Sequence, residues 1–520
     1  MDLNKVTKYL EKRSKWSYLG IAVALFVSHK VYRFLHVPPS LRHIPAVSYW
    51  RMVGSFLSKE PPQRRMERLI LPTIQGTDGI YLNKIPLDWT VFLANPTSVR
   101  SLFFDNKDLP KDQSGLYYLG ETSPVIRFVG YDNIVFSNGQ TWKRQRKLMN
   151  PVFNRAMPVN VFGNLMLKVI HKIENEYQGN NVRVVDLMQR MTLDALGLGV
   201  FGFDFLSLEE ENSIWRETYE NVIASVRDPI TNVFPQIDSI RAWFFPSRRA
   251  RLEGTAKLNN LLLNMAQERR RFLTEQKATG QEDTKSDSEK DLLTLMLEAE
   301  IRGEGNLSDE ELRTNMAMMF AAGHETTSHA LAFAIYYLAV NKNIQDKARQ
   351  EALEVLGNDP EDVLPSLHDC GRFVYIDMII KENLRISPTG EFILPRKAVE
   401  DMYVGNTFIP KGTKVSIDIH TLQNNPEIWE NPNEFRPERF AKDGEHDKHE
   451  GIPWVPFSDG TRKCIGVKFS MVEQYVCLAM LLRKYEWELP EESIHRNGIV
   501  HEIGANAAPT SLTINFTKRY

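Results

Sequence analysis

Between Asp309 and Val340 the sequence carries an unbroken helical pattern with hardly a polar face. Ser308 and Glu311 in SDEE have capping-box spacing, which marks the start. The pattern then runs for about 32 residues, or about 48 Å at 1.5 Å per residue, enough to cross a whole domain. Its middle, NMAMMFAAGHETTSHALAFAIYYLAV, is apolar nearly all round, so this helix must run through a core. Two features interrupt it. Gly323 removes a side chain, and the polar set His324, Glu325, Thr326 and Thr327 falls in mid-helix.

The rest of the chain is also mostly helical in pattern. Arg249 to Lys277 is rich in Leu, Ala, Arg, Glu and Gln without proline, which is long-helix material. ATGQEDTKSDSEKD, Ala278 to Asp291, has no apolar residue after its first and reads as an exposed connection. Asn343 to Leu356 reads as a charged surface helix ending at Gly357, and Phe373 to Ile386 as a helix stopped by Pro388. Strands are expected in Val399 to Ile419, with Gly405-Asn406 and Lys411-Gly412 as turns. NNPEIWENPNEFRPERF is loop-like. The fold class is therefore mainly α with a smaller β portion. A length of 520 residues by itself suggests more than one domain. The formal charge of −2, from 64 basic and 66 acidic residues, gives no global field for nucleic acid.

The amino end is different. Lys5, Lys8, Lys12, Arg13 and Lys15 precede an apolar run from Trp16 to Val27, which resumes after His29 and Lys30 with Val31, Tyr32, Phe34 and Leu35. A spanning helix needs about 20 mostly apolar residues, reached here only if Lys30 and Arg33 snorkel at an interface. No small-residue cleavage site follows, so residues 1–37 are expected to be a membrane anchor rather than a removed signal. The prolines of PPSLRHIP make residues 38–48 a stiff hinge, leaving 49–520 as the globular part. Phe234 to Leu252, with Trp243, Phe244 and Phe245 beside Arg248 and Arg249, suits a membrane surface and a packed turn about equally.

Only three cysteines occur: Cys370, Cys464 and Cys477. An odd, sparse set without zinc-like spacing argues against a disulfide framework or a structural metal knot. Cys464 stands in FSDGTRKCIG, between Gly460 and Gly466 and just before a helical pattern from Val467. A helix N-terminus and Arg462 nearby both favour a thiolate, and Gly466 leaves room beside the backbone. Three readings stand at this level: a soft axial ligand to haem iron, a nucleophile, or a buried hydrophobe. Cys370 and Cys477 keep the last.

Phe457-x-x-Gly460-x-Arg462-x-Cys464-x-Gly466 resembles the haem-binding signature of the cytochrome P450 superfamily at each fixed place. Ala322-Gly323-x-Glu325-Thr326-Thr327 resembles its oxygen-activation segment. Glu382-x-x-Arg385 with Phe435-x-Pro437-x-Arg439-Phe440 resembles its structural charge triad, and Trp142-x-x-x-Arg146 its propionate-binding helix. The resemblance runs from about the proline hinge to near the carboxyl end, and it implies one haem domain in place of several. It implies haem b (iron protoporphyrin IX), with Cys464 as axial ligand and Trp142, Arg146, Arg396 and Arg462 on the propionates. Thr326 and Glu325 would manage protons beside bound dioxygen.

The implied reaction is that of a monooxygenase of the eukaryotic microsomal type, inserting one oxygen atom of O2 into a lipophilic molecule. No nucleotide or flavin motif stands out, so electrons are expected from a separate NADPH-cytochrome P450 reductase, with cytochrome b5 as a second candidate donor. Lys143, Arg144, Lys147, Lys463 and Lys468 are the expected cationic patch for it. The expected place is the endoplasmic reticulum membrane, catalytic domain to the cytosol. Two rivals are a non-redox isomerase or dehydratase of lipid peroxides on the same fold, and a haem-carrying sensor.

Overall fold

The computed structural model describes residues 15–85, 88–106, 109–155, 157–210, 213–226, 228, 235, 238–279, 286–287, 289–502 and 507–520. The helices that matter for the site are α1 (Lys15–Leu35), α2 (Tyr49–Leu57), α3 (Gly139–Arg155), α4 (Val184–Leu196), α5 (Ile214–Val226) and α6 (Pro246–Thr279). They continue with α7 (Asp309–Gly323), α8 (Glu325–Val340), α9 (Lys342–Leu356), α10 (Val374–Ile386) and α11 (Val467–Lys484). Four strands, β1 (Ile80–Ile85), β2 (Asp88–Leu93), β3 (Arg396–Lys397) and β4 (Lys414–Ile417), form one sheet. Its order is β1-β2-β4-β3, antiparallel at both outer pairs and parallel between β2 and β4. Met402–Val404 and Thr407–Ile409 form the expected hairpin, turned at Gly405 with φ 56°.

The long apolar pattern becomes two helices. Ser308 and Glu311 close the capping box at the start of α7, and α8 is buried on every side from Thr327 to Ala339. The single helix expected from Asp309 to Val340 is broken at His324, because side chains compete there for helix carbonyls. Thr326 Oγ1 donates to Ala322 O at 2.9 Å, and Thr192 Oγ1 from α4 donates to His324 O at 3.1 Å. The glycine at 323 is set by packing: a Cβ there would lie 2.7 Å from Leu196 Cδ1. The missing side chain lets α4 pack against the break.

The apolar core is divided. One large cluster surrounds α8 and includes α4 and α11, while a smaller one lies on the sheet around Leu82, Val91 and Val415. The polar connection expected over Ala278 to Asp291 lies partly outside the described residues, at 280–285 and 288.

Lys5, Lys8, Lys12 and Arg13 of the expected anchor lie outside the described residues. α1 itself forms, and Leu19, Val23, Leu25, Phe26 and Val27 stand exposed on it. Among the described residues no helix is long and apolar enough to cross a membrane. Lys15, Lys30 and Arg33 fall within the 21 residues of α1. The end of α1 is tied down: Lys84 Nζ donates to Phe34 O and lies against the Phe34 ring. An ammonium at the free carbonyls of a helix C-terminus also meets the negative end of the dipole.

Candidate active site

The cysteine loop is built by two left-handed residues, Ser458 at φ 57° and Gly460, and by four hydrogen bonds. Gly460, at φ 67°, opens a short 3-10 turn to Arg462. Asp459 accepts the Gly460 N–H at 2.8 Å, Lys463 N donates to Gly460 O at 3.2 Å, and Cys464 N donates to Phe457 O at 2.9 Å. Ser470 N then donates to Gly466 O at 2.9 Å as α11 begins. Cys464 is thus held just ahead of a helix N-terminus, as its place in the sequence suggests. Its thiol is open on one side, and a Cβ on Gly466 would meet only that sulfur, at 4.0 Å. The side chain is open to a hollow yet deep in the protein mass. Burial therefore pushes its pKa up, against the Gly466 N–H and the charges of Arg146 and Lys463. Cys370 and Cys477 are buried, free and held protonated by burial.

Around this hollow the chain gathers cations. Trp142 is buried on the inner face of α3, and the Arg462 guanidinium lies 3.8 Å from its ring centroid. Arg462 Nη1 donates to Ser137 O at 2.8 Å. Arg146, one turn after Trp142, donates from Nη2 to Lys463 O at 2.9 Å, while its buried Nε has no hydrogen-bond partner. Arg396 is buried on β3, its guanidinium 5.4 Å from the Phe103 ring centroid. Lys111 is the member that sequence reasoning missed. It pairs with Arg396 through an isolated antiparallel bridge, and no motif marks a lone lysine in a loop. Burial, with Arg396 and Arg462 adding repulsion, pulls Lys111 down to about 7. Like charges brought together around an orphaned donor suit a dianion, and a thiol at the same hollow suits a soft metal. The residues fit a haem.

The distal residues come from the broken helix. Thr326 bonds Ala322 O and remains partly exposed, while Glu325 is buried. A polar cavity of about 830 Å³ between α4, α5, α6 and the break reaches Glu325, with Arg190, Arg216, Tyr219 and Asp228 on its walls. His324, given no role from sequence, is buried there. Its Nδ1 pairs with Phe320 O at 3.0 Å, and burial lowers its pKa, so it stays neutral. Thr327 Oγ1 and Ser470 Oγ, 3.0 Å apart, tie α8 to the first turn of α11 behind Cys464. Ser470 had no sequence signal of its own.

Glu382, Arg385 and Arg439 form the network that their motifs resemble, with all three side chains wholly buried. Glu382 accepts from Arg385 Nε at 2.7 Å and Nη2 at 2.9 Å, from the Arg436 backbone N–H at 2.9 Å, and from Arg439 Nε at 3.2 Å. Arg385 and Arg439 pass the order on: Arg385 Nη2 donates to Pro432 O and Arg439 Nη2 to Asn431 O. The proline-rich loop ahead of Cys464 is thereby fixed. The outer face of α3 is basic, as its sequence suggests. Arg144 pairs with Glu311 and donates to Asn306 O, Lys468 donates to Asn154 O, and both stand exposed along with Lys143, Lys147 and Lys463.

A model of the cytochrome P450 family matches residues 49–513. "Protein LUTEIN DEFICIENT 5, chloroplastic" of Arabidopsis thaliana is 26% identical over 391 residues, which are 74% of this chain and 64% of that protein. "Self-sufficient cytochrome P450 monooxygenase CYP505E3" of Phanerodontia chrysosporium is 31% identical over 404 residues, 75% of this chain but only 35% of that protein. Among solved structures, the crystal structure of the cytochrome P450DA heme domain superposes with a TM-score of 0.75 at 24% identity, over 92% of this chain and 98% of that one. The fold and the matched family agree with the cysteine loop and its ring of cations, and the chain belongs to the cytochrome P450 family.

Proposed function

We propose that the chain is a haem-thiolate monooxygenase acting on a lipophilic substrate. The observation that carries this reading is the open Cys464 thiol in a hollow ringed by Lys111, Arg146, Arg396 and Arg462, with the Arg146 Nε unpartnered. Cys464 would bind the haem iron as a thiolate, and Trp142, Arg146, Arg396 and Arg462 would hold the propionates, joined by Lys111. When bound, the haem supplies the activation of dioxygen, and the protein supplies position and protons.

The chain's own part is proton management. Thr326 holds its hydroxyl at the helix break by donating to Ala322 O, so its oxygen lone pairs remain free to accept. Glu325, one residue earlier, faces the polar cavity and can exchange protons with water there. Reductant comes from a separate NADPH-dependent flavoprotein, docked on Lys143, Lys147 and Lys463, and cytochrome b5 would use the same face. In Thr326→Ala, haem content and the carbon-monoxide spectrum are expected to stay, while product per reductant falls roughly tenfold or more and hydrogen peroxide appears instead. Unchanged coupling would remove Thr326 from the chemistry. Turnover without any reductant would favour the isomerase or dehydratase reading, and failure of every lipophilic compound to stimulate reductant use would favour a sensor.

The proposal includes the membrane. Residues 1–37 form the anchor, 38–48 the hinge and 49–520 the catalytic domain, placed on the cytosolic side of the endoplasmic reticulum. The support is the apolar surface of α1 together with exposed Trp50 and Leu57 on α2 and exposed Trp243, Phe244 and Phe245. Lys30 would then lie at the headgroups. Removing residues 1–37 is expected to leave the spectrum intact and move much of the protein from the membrane pellet to the supernatant. A truncated protein that still sediments in full would shift the attachment to Trp243 and its neighbours.

A further inference from the structure

The cations of the cradle come from separate parts of the chain: Lys111 from a loop, Arg396 from β3, and Arg462 from the cysteine loop. Like charges repel, so something neutral must hold them in place. One side chain touches two of these segments and reaches the third through its neighbour. Lys111 N donates to Asn138 Oδ1 at 2.8 Å, and Asn138 Nδ2 donates back to Lys111 O at 3.0 Å. The amide thus binds both backbone groups of one residue, as a neighbouring strand would. On the other edge of the same loop, Asp112 N donates to Pro395 O at 2.8 Å and Lys397 N to Pro110 O at 2.9 Å, which sets Lys111 beside Arg396. Asn138 Oδ1 also accepts from Arg462 Nη2 at 3.1 Å. Two donors on the oxygen and one bond from the nitrogen nearly exhaust what an amide can make.

We propose that Asn138 is the positioning residue of the cation cradle, a neutral clamp that fixes Lys111 and Arg462, and through Lys111 the strand of Arg396, at the spacing required by the two carboxylates of the haem. The inference rests on the proposed haem site. Asparagine has the required chemistry: its oxygen accepts from a backbone N–H and a guanidinium together, its nitrogen serves the Lys111 carbonyl, and it adds no charge. An aspartate keeps the acceptors, loses the donor to Lys111 O, and places a negative charge against Arg462 that competes with the cofactor's own carboxylates. Asn138 sits just before α3 and makes no claim on the reacting atoms. Its action is through the cations.

The test is a chemical cycle on the full-length holoenzyme. Release of haem to excess apomyoglobin is followed for the wild type and Asn138→Ala, each loaded either with native haem or with haem dimethyl ester, which has no carboxylates. With native haem, Asn138→Ala is expected to release about tenfold faster, the order of coupling between groups in contact. With the dimethyl ester the two proteins are expected to release at the same rate, because the groups that the cradle serves are gone. An equal penalty with both cofactors would overturn the proposal and leave Asn138 a general fold-holder. If Asn138→Ala does not accumulate as holoprotein, Asn138→Asp is put through the same cycle, with the same pattern expected and the same result overturning it. Failure of the underlying haem reading would look different: the wild type itself would take up no haem, or would take it up without a thiolate spectrum.

Discussion

Cys464→Ala is expected to abolish the red-shifted carbon-monoxide band of the reduced protein and, with it, all monooxygenase turnover. The loop explains why the effect should be total. Its backbone bond to Phe457 O, the Gly460 turn and the start of α11 do not involve the thiol, so the loop should keep its shape with alanine. What disappears is the one soft donor at the hollow. The other cysteines cannot substitute, because Cys370 and Cys477 are buried elsewhere and held as thiols. Difference spectra of reduced, carbon-monoxide-treated protein are the measurement, with pyridine haemochrome to count cofactor. A mutant that retains both cofactor and the red-shifted band would show that iron is bound by another group. Far-UV circular dichroism should match the wild type, since the exchange removes no packing that the loop depends on.

The second large effect lies away from the chemistry. Glu382→Ala should leave Arg385 and Arg439 buried without their carboxylate, and truncating one member of such a network costs about 3–5 kcal/mol. Two features of this site put it at the upper end. All three side chains have no solvent access, so no water can replace the lost oxygens. Glu382 also accepts the Arg436 backbone N–H, so the loop itself loses an anchor. Arg439 keeps Glu445 and Arg385 keeps the Gln423 and Pro432 carbonyls, which limits the collapse but not the penalty. The expected outcome is a much lower yield of holoprotein and an earlier denaturant midpoint with the same slope. A midpoint within experimental error of the wild type would show that the network is dispensable.

The parts of the site that the sequence disclosed are those written in one short run. Cys464 with its glycines, Trp142 with Arg146, and Glu382 with Arg385 each sit at fixed local spacing, and the structure places each pair as that spacing requires. Lys111, Asn138 and Ser470 were not visible, because each acquires its role from a partner far along the chain: Arg396, Arg462 and Thr327. Tertiary proximity has no local signature. The long core helix was legible in length and burial but not in its break, since helical periodicity says nothing about a threonine taking a carbonyl. Gly323 was legible as special but not as the seat of Leu196, a residue of another helix. The basic face of α3 was legible as charge, but sequence shows the charge of Arg144 and not its pairing with Glu311. Of the expected anchor, α1 formed, and among the described residues no helix is long and apolar enough to cross a membrane.

The ring of positive groups around the hollow has one more consequence, for how the protein matures. A fold that assembles these cations before any anion arrives carries a standing penalty: burial first, and then the charges of Arg396 and Arg462, disfavour the charged form of Lys111. Anything that binds only the folded form and relieves the penalty shifts the folding equilibrium by mass action. Cofactor supply and the stability of the fold are then linked, and haem-loaded protein is expected to unfold at a higher denaturant midpoint than the empty chain.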